Sequence, residues 1–314
     1  MQDQDDLSCF VPGIPISFQK SYFYYTNYIS PFTMLLSVWC VLSNAAVIIA
    51  ILRSGIRSIR PGLLMLCSLS FTDLLWGATT LMDSSIRIKH LTNSQVCEAF
   101  SEIGGLPIAT FVTMTFVGTE LNLATISIDR YLAVKTFVRY RSLVTRRRAL
   151  VACSVVWVIS STLATIRQAG AIQLYLLSFL ASGLVVLSAA VIIIFQILTF
   201  RLLRHHNNNV AEVMAEGNQA NLGDSANARV ERQLAKTATY VVGMLALVVV
   251  PISCVIMITV ITKKAYIRLM FSVVFFLLTL CSCINPVLYY RGNEKVKQGI
   301  SKLLKCQKVT SILF

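Results

Sequence analysis

Seven stretches of the chain are apolar for long enough to cross a lipid bilayer, and nothing else in the sequence restricts the fold as much. They run over about 28–52, 62–86, 103–134, 149–170, 172–203, 233–262 and 266–290. A helix needs roughly 20 mainly apolar residues to pass through the hydrocarbon core. Backbone N–H and C=O groups find no water there, so each stretch must close its hydrogen bonds within a helix. Only 13% of the 314 residues are charged, about half the share found in soluble domains. The expected fold is an all-α membrane protein, a seven-transmembrane helix bundle.

Basic residues set its orientation. Arg53, Arg57 and Arg60 follow the first span, and Lys135, Arg139, Arg141, Arg146, Arg147 and Arg148 follow the third. Arg201, Arg204, Arg229, Arg232 and Lys236 flank the longest connection, and Arg291, Lys295, Lys297, Lys302, Lys305 and Lys308 lie after the seventh span. With Arg130 these make 21 of the 28 Lys and Arg residues, all on one side. That side is the cytoplasm by the positive-inside rule. Residues 1–27 are then an extracellular N-terminus, 28–290 the membrane domain and 291–314 a cytoplasmic tail, in a multi-pass protein of the plasma membrane. The net charge of +14 faces anionic lipid, where each basic residue contributes about 1 kcal/mol of attraction; nucleic acid is not the partner. Residues 1–20 lack the apolar core of a cleavable signal peptide, so the first span is expected to direct its own insertion.

The cytoplasmic loop at about 204–232 is polar and rich in Asn and Ala over 205–230, and reads as flexible. In the tail, Val296, Ile300, Leu303 and Leu304 form one apolar stripe at helical spacing. This predicts a short amphipathic C-terminal helix on the membrane surface, with Cys306 just beyond it as a candidate palmitoyl anchor. Internal repeats and glycine-broken spans are absent from the sequence, which disfavours a transporter built of repeated halves.

Polar residues inside apolar spans need a reason. A charge at the bilayer centre costs about 2.5–3.5 kcal/mol on insertion scales, and such groups turn inward and pair. Asn44, Asp73, Glu120, Asn122, Asn285 and Tyr289 are of this kind. As interhelical glue each hydrogen bond would contribute about 0.6 kcal/mol. Asp129-Arg130-Tyr131, where the third span meets the basic stretch, reads as a switch at the cytoplasmic mouth of the bundle. The surroundings say more: LSNAAVI in span one, LSFTDLL in span two, SIDRYLAV in span three, Trp157 in span four, Pro251 in span six and NPVLY in span seven. In that order, across the whole membrane domain, they resemble the rhodopsin-like (class A) G-protein-coupled receptors.

The resemblance implies a receptor that passes an extracellular ligand signal to a heterotrimeric G protein, with arrestin as a further partner. Arg130 takes the part of the arginine held at rest and freed on activation, with Asp129 as neighbouring partner. Glu231, twenty residues before Pro251, matches an acid that latches this arginine. Phe137 matches the bulky loop residue that enters a slot on the G protein. Asn285, Pro286 and Tyr289 match the bend and tyrosine that move on activation. Asp73 matches the acid of an allosteric sodium site, with Thr119, Ser282 and Asn285 as further oxygen ligands; Cys281 stands where Asn is common. The ligand pocket would be lined by Val112, Thr113, Phe116, Val249, Ile252, Ser253, Ile256, Phe275 and Thr279, under a basic rim of Lys263, Lys264 and Arg268.

Departures from the family are informative. Val249 and Leu245 replace aromatic residues of span six, span five has no Pro, and Phe195 stands where Tyr is usual. Glu120, ten residues before Arg130, sits at an apolar depth and must be neutral or paired. Gly105 occupies the position of the usual extracellular Cys, so Cys9 and Cys97 are the candidates for an exterior disulfide. A missing Pro, a short second outer loop and the absent Cys give a partial likeness to the melanocortin, lysophospholipid, cannabinoid and adenosine receptor group. Val112 lies where amine receptors carry Asp, and 266–290 has no Lys for a retinal Schiff base. A small uncharged, lipid-like or anionic ligand is expected, with a short peptide as the alternative. No cofactor is expected beyond the sodium ion. An enzyme is disfavoured, because His90, His205 and His206 lie outside the spans and no HExxH or GxSxG motif occurs. The rival reading is an ion or proton transporter using Asp73 and Glu120.

Overall fold

A computed structural model describes the backbone at 16–53, 59–90, 105–136, 139–168, 174–215, 265–292 and 296–303, and side chains over a narrower part of these segments. The described residues are helical apart from short connections, and no strand occurs among them. Span one is Ile16–Arg53, span two Pro61–His90, span three Gly105–Lys135, span four Arg146–Gln168, span five Leu174–Ala215 and span seven Ala265–Gly292. A single helical turn, Tyr140–Leu143, lies between spans three and four. Residues 296–303 form a terminal helix, at the place where the apolar stripe predicted one. The sixth apolar segment, with Glu231, Leu245, Val249, Ile252, Ser253 and Ile256, lies outside the described residues. So do Cys9, Cys97, Phe137 and Cys306, and the side chains of the basic rim.

Five described helices are long and apolar enough to cross a bilayer, and Phe275–Arg291 adds a shorter apolar helix. Two helices outrun the expected boundaries. Span one begins at Ile16 and carries Pro31 inside it. Span five continues to Ala215, through a stretch expected to be flexible loop, so His205 and His206 lie on a helix rather than outside one, as does His90 at the end of span two. The reason is local: VAEVMA contains no helix breaker and includes good helix formers, so the helix persists beyond its apolar part.

Spans two and three form the centre, with 56% of their apolar windows buried against 33%, 22% and 28% for spans one, four and five. Span two is the hub because small and hydroxyl-bearing residues let its neighbours approach closely. Towards span one, Ser37 and Thr80 share a hydrogen bond of 2.8 Å. A Cβ placed on Gly77 would meet Cys40 Cβ and Sγ at 3.1 Å, so the two helices pack with no room for a methyl group. Towards span three, Asn122 Nδ2 donates to Thr72 Oγ1 at 3.1 Å. Towards span four, Trp157 Nε1 donates to Ser68 Oγ at 3.1 Å, and its ring tilts against Phe71. Towards span seven, Trp76 Nε1 donates to Thr279 Oγ1 at 3.1 Å.

The inner half of the bundle holds the main apolar core. Val47 and Ile51, Leu63 and Leu69, Leu123 and Ile126, Ile192 and Tyr289 meet there with Val144 of the connecting loop and Val296 of the terminal helix. Gly299 lets that helix lie flush, since a Cβ there would reach Ala50 Cβ at 2.7 Å and its backbone oxygen at 3.0 Å.

Candidate functional site

Three polar constellations lie along the bundle. At the inner end of span three, Asp129 and Arg130 are adjacent in the chain, and their side chains form an ion pair, Nη2 to Oδ2, at 2.5 Å. Asp129 is only 3% exposed. With the Arg130 side chain 19% exposed, the pair is partly shielded from the screening that makes surface pairs weak. The second carboxylate oxygen accepts a 2.7 Å hydrogen bond from the Tyr140 hydroxyl. The turn Tyr140–Leu143 delivers that hydroxyl, eleven positions along the chain. Gly62, near the start of span two, faces the guanidinium, and a Cβ there would collide with Arg130 Nη2. Tyr131 turns the other way, edge-on to Phe195 of span five at 5.3 Å, with Lys135 Nζ over its ring.

Deeper in the bundle, the Asp73 carboxylate is fully buried. Ser282 Oγ donates to Oδ1 at 2.8 Å and Asn285 Nδ2 to Oδ2 at 2.7 Å. Asn44 Nδ2 ties span one to the same place through the Ser282 and Cys40 carbonyls, at 3.2 and 3.0 Å. Among the described residues, Asn44 Oδ1 and Asn285 Oδ1 are buried without a hydrogen-bond partner. Such orphaned acceptors are costly in a dry interior, and together with a carboxylate and a hydroxyl they suit a hard cation. Both carboxylate oxygens are taken by span seven, and Thr119, half-buried, is not among their hydrogen-bond partners. Tyr289, one turn beyond Asn285, is 5% exposed and packed in the inner core.

Towards the outer end, Trp76 and Leu278 form a separate cluster, with Val112, Phe116, Phe275 and Leu277 against it. Trp76 and Phe275 stack at 5.2 Å. Thr113 and Thr279 are buried. Of the predicted pocket residues with described side chains, Val112, Phe116, Phe275 and Thr279 thus gather around Trp76. Sequence reading missed Trp76, although it lies one helical turn above Asp73 and so shares its face. Glu120, 1% exposed, lies against span five, where Ser188 Oγ comes within 3.4 Å of Oε2.

Comparison with known proteins gives this arrangement a family. Residues 43–170 and 166–289 match the model described as 7 transmembrane receptor (rhodopsin family). Cannabinoid receptor 2 of Mus musculus is 34% identical over 129 residues, which are 40% of this chain and 35% of that receptor. Cannabinoid receptor 1 of Xenopus laevis is 23% identical over 306 residues, 89% of this chain and 63% of that receptor. Melanocortin receptor 3 of Mus musculus is 30% identical over 130 residues, 40% of this chain and 39% of that receptor. The matches span less than two thirds of these relatives' own length. With a family match running from span one to span seven, the chain belongs to the rhodopsin family of seven-transmembrane receptors.

Proposed function

We propose that this receptor carries an extracellular ligand signal to a heterotrimeric G protein, with Arg130 as the element released on activation. The observation that supports this most directly is the closed triad of Arg130, Asp129 and Tyr140 at the inner end of span three. A partly shielded ion pair is held at rest, and breaking a fully buried one costs about 3–5 kcal/mol, which sets the upper bound here. Its release therefore needs an input. A ligand that binds the open bundle more tightly supplies it: a shift from 1:99 to 99:1 requires about 5.5 kcal/mol of differential affinity. Opening, by a tilt of span six that carries Glu231 away from Arg130, would expose a slot for the G protein, into whose surface Phe137 would insert. Tyr289 would leave the inner core as span seven bends at Pro286.

The ligand enters from outside and meets the apolar cluster around Trp76. Val112, Phe116 and Phe275 make its wall apolar, with Thr113 and Thr279 as hydroxyl-bearing neighbours. A small lipid-like ligand suits that lining better than a charged one. Two of the relatives named above are cannabinoid receptors, which accords with this choice. Asp73, Ser282 and Asn285, with the amide oxygen of Asn44, would hold a sodium ion. The ion would supply fixed positive charge that keeps spans one, two and seven together at rest.

A G-protein dissociation assay in cells tests the proposal, with Arg130→Ala compared at equal surface expression. Loss of at least nine-tenths of the signal is expected. Full signalling without Arg130 would overturn the switch and favour the transporter reading.

A further inference from the structure

One exposed hydroxyl at the inner end of the bundle stands among arginines. Ser142 lies on the turn Tyr140–Leu143, and its Oγ donates to the Arg139 carbonyl at 2.8 Å. Of all the serines and threonines in the chain, it alone has an arginine three positions before it, and a second, Arg141, directly precedes it. Arg146, Arg147 and Arg148 follow, and no acid occurs between Asp129 and Glu212. The fold adds to this pattern. Arg148, in the first turn of span four, reaches back across the connection and donates from Nη1 to the Leu143 carbonyl at 2.6 Å. Its guanidinium therefore lies against the residue next to Ser142. A guanidinium carries five N–H donors, and that carbonyl occupies one of them. Arg139, also exposed, stands at the other end of the turn.

We propose that Ser142 is a phosphorylation site for an arginine-directed protein kinase, and that the phosphate pins the turn by pairing with Arg148 and Arg139. Such a kinase has an acidic substrate groove, and charge patterns of this kind separate one kinase's substrates from another's. A single helical turn is marginal by itself, so this exposed one opens locally and presents the serine as an extended peptide. The Ser142 oxygen attacks the γ-phosphorus of a nucleoside triphosphate. The new O–P bond forms as the bond to the bridging oxygen breaks, the diphosphate leaves, and the hydroxyl proton passes to the kinase's catalytic base. The product carries a charge of about −1.5 to −2 and three acceptor oxygens, which an arginine fork grips two at a time. Tyr140 is two positions before Ser142, and its hydroxyl supports Asp129. Tying the turn to the start of span four holds that hydroxyl in place and favours the resting arrangement.

The effect on signalling rests on the receptor reading above, whereas the site rests on the arginines around Ser142, so the two are read separately. The full chain in phospholipid nanodiscs is incubated with ATP and the catalytic subunit of the cyclic-AMP-dependent protein kinase, which is arginine-directed, and mapped by mass spectrometry. Phosphate is expected on Ser142, and most of the incorporation should vanish in Ser142→Ala. An unmodified Ser142, or phosphate on Thr145 or Ser311 in its place, overturns the proposal. The second measurement is G-protein nucleotide exchange without ligand. It should fall about tenfold on phosphorylation, the effect of one hydrogen bond between charged groups. Arg148→Gln should keep the phosphate and lose the fall. Exchange unchanged by phosphorylation overturns the pinning. A parent chain that drives no exchange tells against the receptor reading instead, with the mass map still deciding the site.

Discussion

Tyr140 spends its hydroxyl on a carboxylate that already holds an arginine, and removing that one oxygen isolates its contribution. A hydrogen bond to a charged group is worth about 1.5–3 kcal/mol, and every 1.4 kcal/mol is a factor of about ten in an equilibrium. Tyr140→Phe should therefore raise ligand-independent signalling about tenfold while leaving surface expression unchanged. The check is G-protein dissociation in cells without ligand, where activity equal to the parent would separate Tyr140 from the switch. Asp129 and Arg130 were legible in the sequence because adjacency alone joins them. Tyr140 was not, since its contact depends on how the chain turns after Thr136, where Arg139 N bonds Thr136 O at 2.6 Å. The two donors that Asp73 receives from span seven, Ser282 and Asn285, were legible as its neighbours only through the family likeness, because they lie 209 and 212 positions away in the chain.

Trp157 illustrates how one helix is fastened to another inside lipid. Its ring leans on Phe71 and its N–H reaches Ser68, so apolar and polar contributions are separable by substitution. Trp157→Phe keeps a ring and loses the hydrogen bond, which should cost about 0.6 kcal/mol. Trp157→Ala loses both, and should cost about 3 kcal/mol. Thermal denaturation in detergent should rank parent, Phe and Ala in that order, with a small first step and a large second one. Equal melting of the Phe and Ala chains would remove the ring from the account. Helices were the most legible feature of this chain, because a long apolar run in lipid admits no other backbone solution. Their ends were less so. Hydropathy marks where lipid stops, whereas a helix stops only at a breaker or a cap, and span five meets neither before Ala215. The partners of each buried hydroxyl were illegible for a related reason. A run of Ser and Thr in span two states that neighbours come close, without stating which.

For the molecule as a whole, the distribution of Lys and Arg makes a topological prediction. An epitope tag added before Met1 should be stained on intact cells, and one added after Phe314 only after the membrane is permeabilised. Staining of the C-terminal tag on intact cells would reverse the orientation and every cytoplasmic role assigned above. Within that frame, Gly62 has a bearing on the receptor as a unit. It offers Arg130 a gap that no side chain fills, and Ala at this position would already intrude on the guanidinium. Position 62 is thus a dial for resting tone. A series of Ala, Val and Leu there should give stepwise higher unliganded output, read in the same dissociation assay, although neither member of the ion pair has been altered. A flat series would mean that the arginine yields sideways at no expense, and that its parking place is wider than one hydrogen atom.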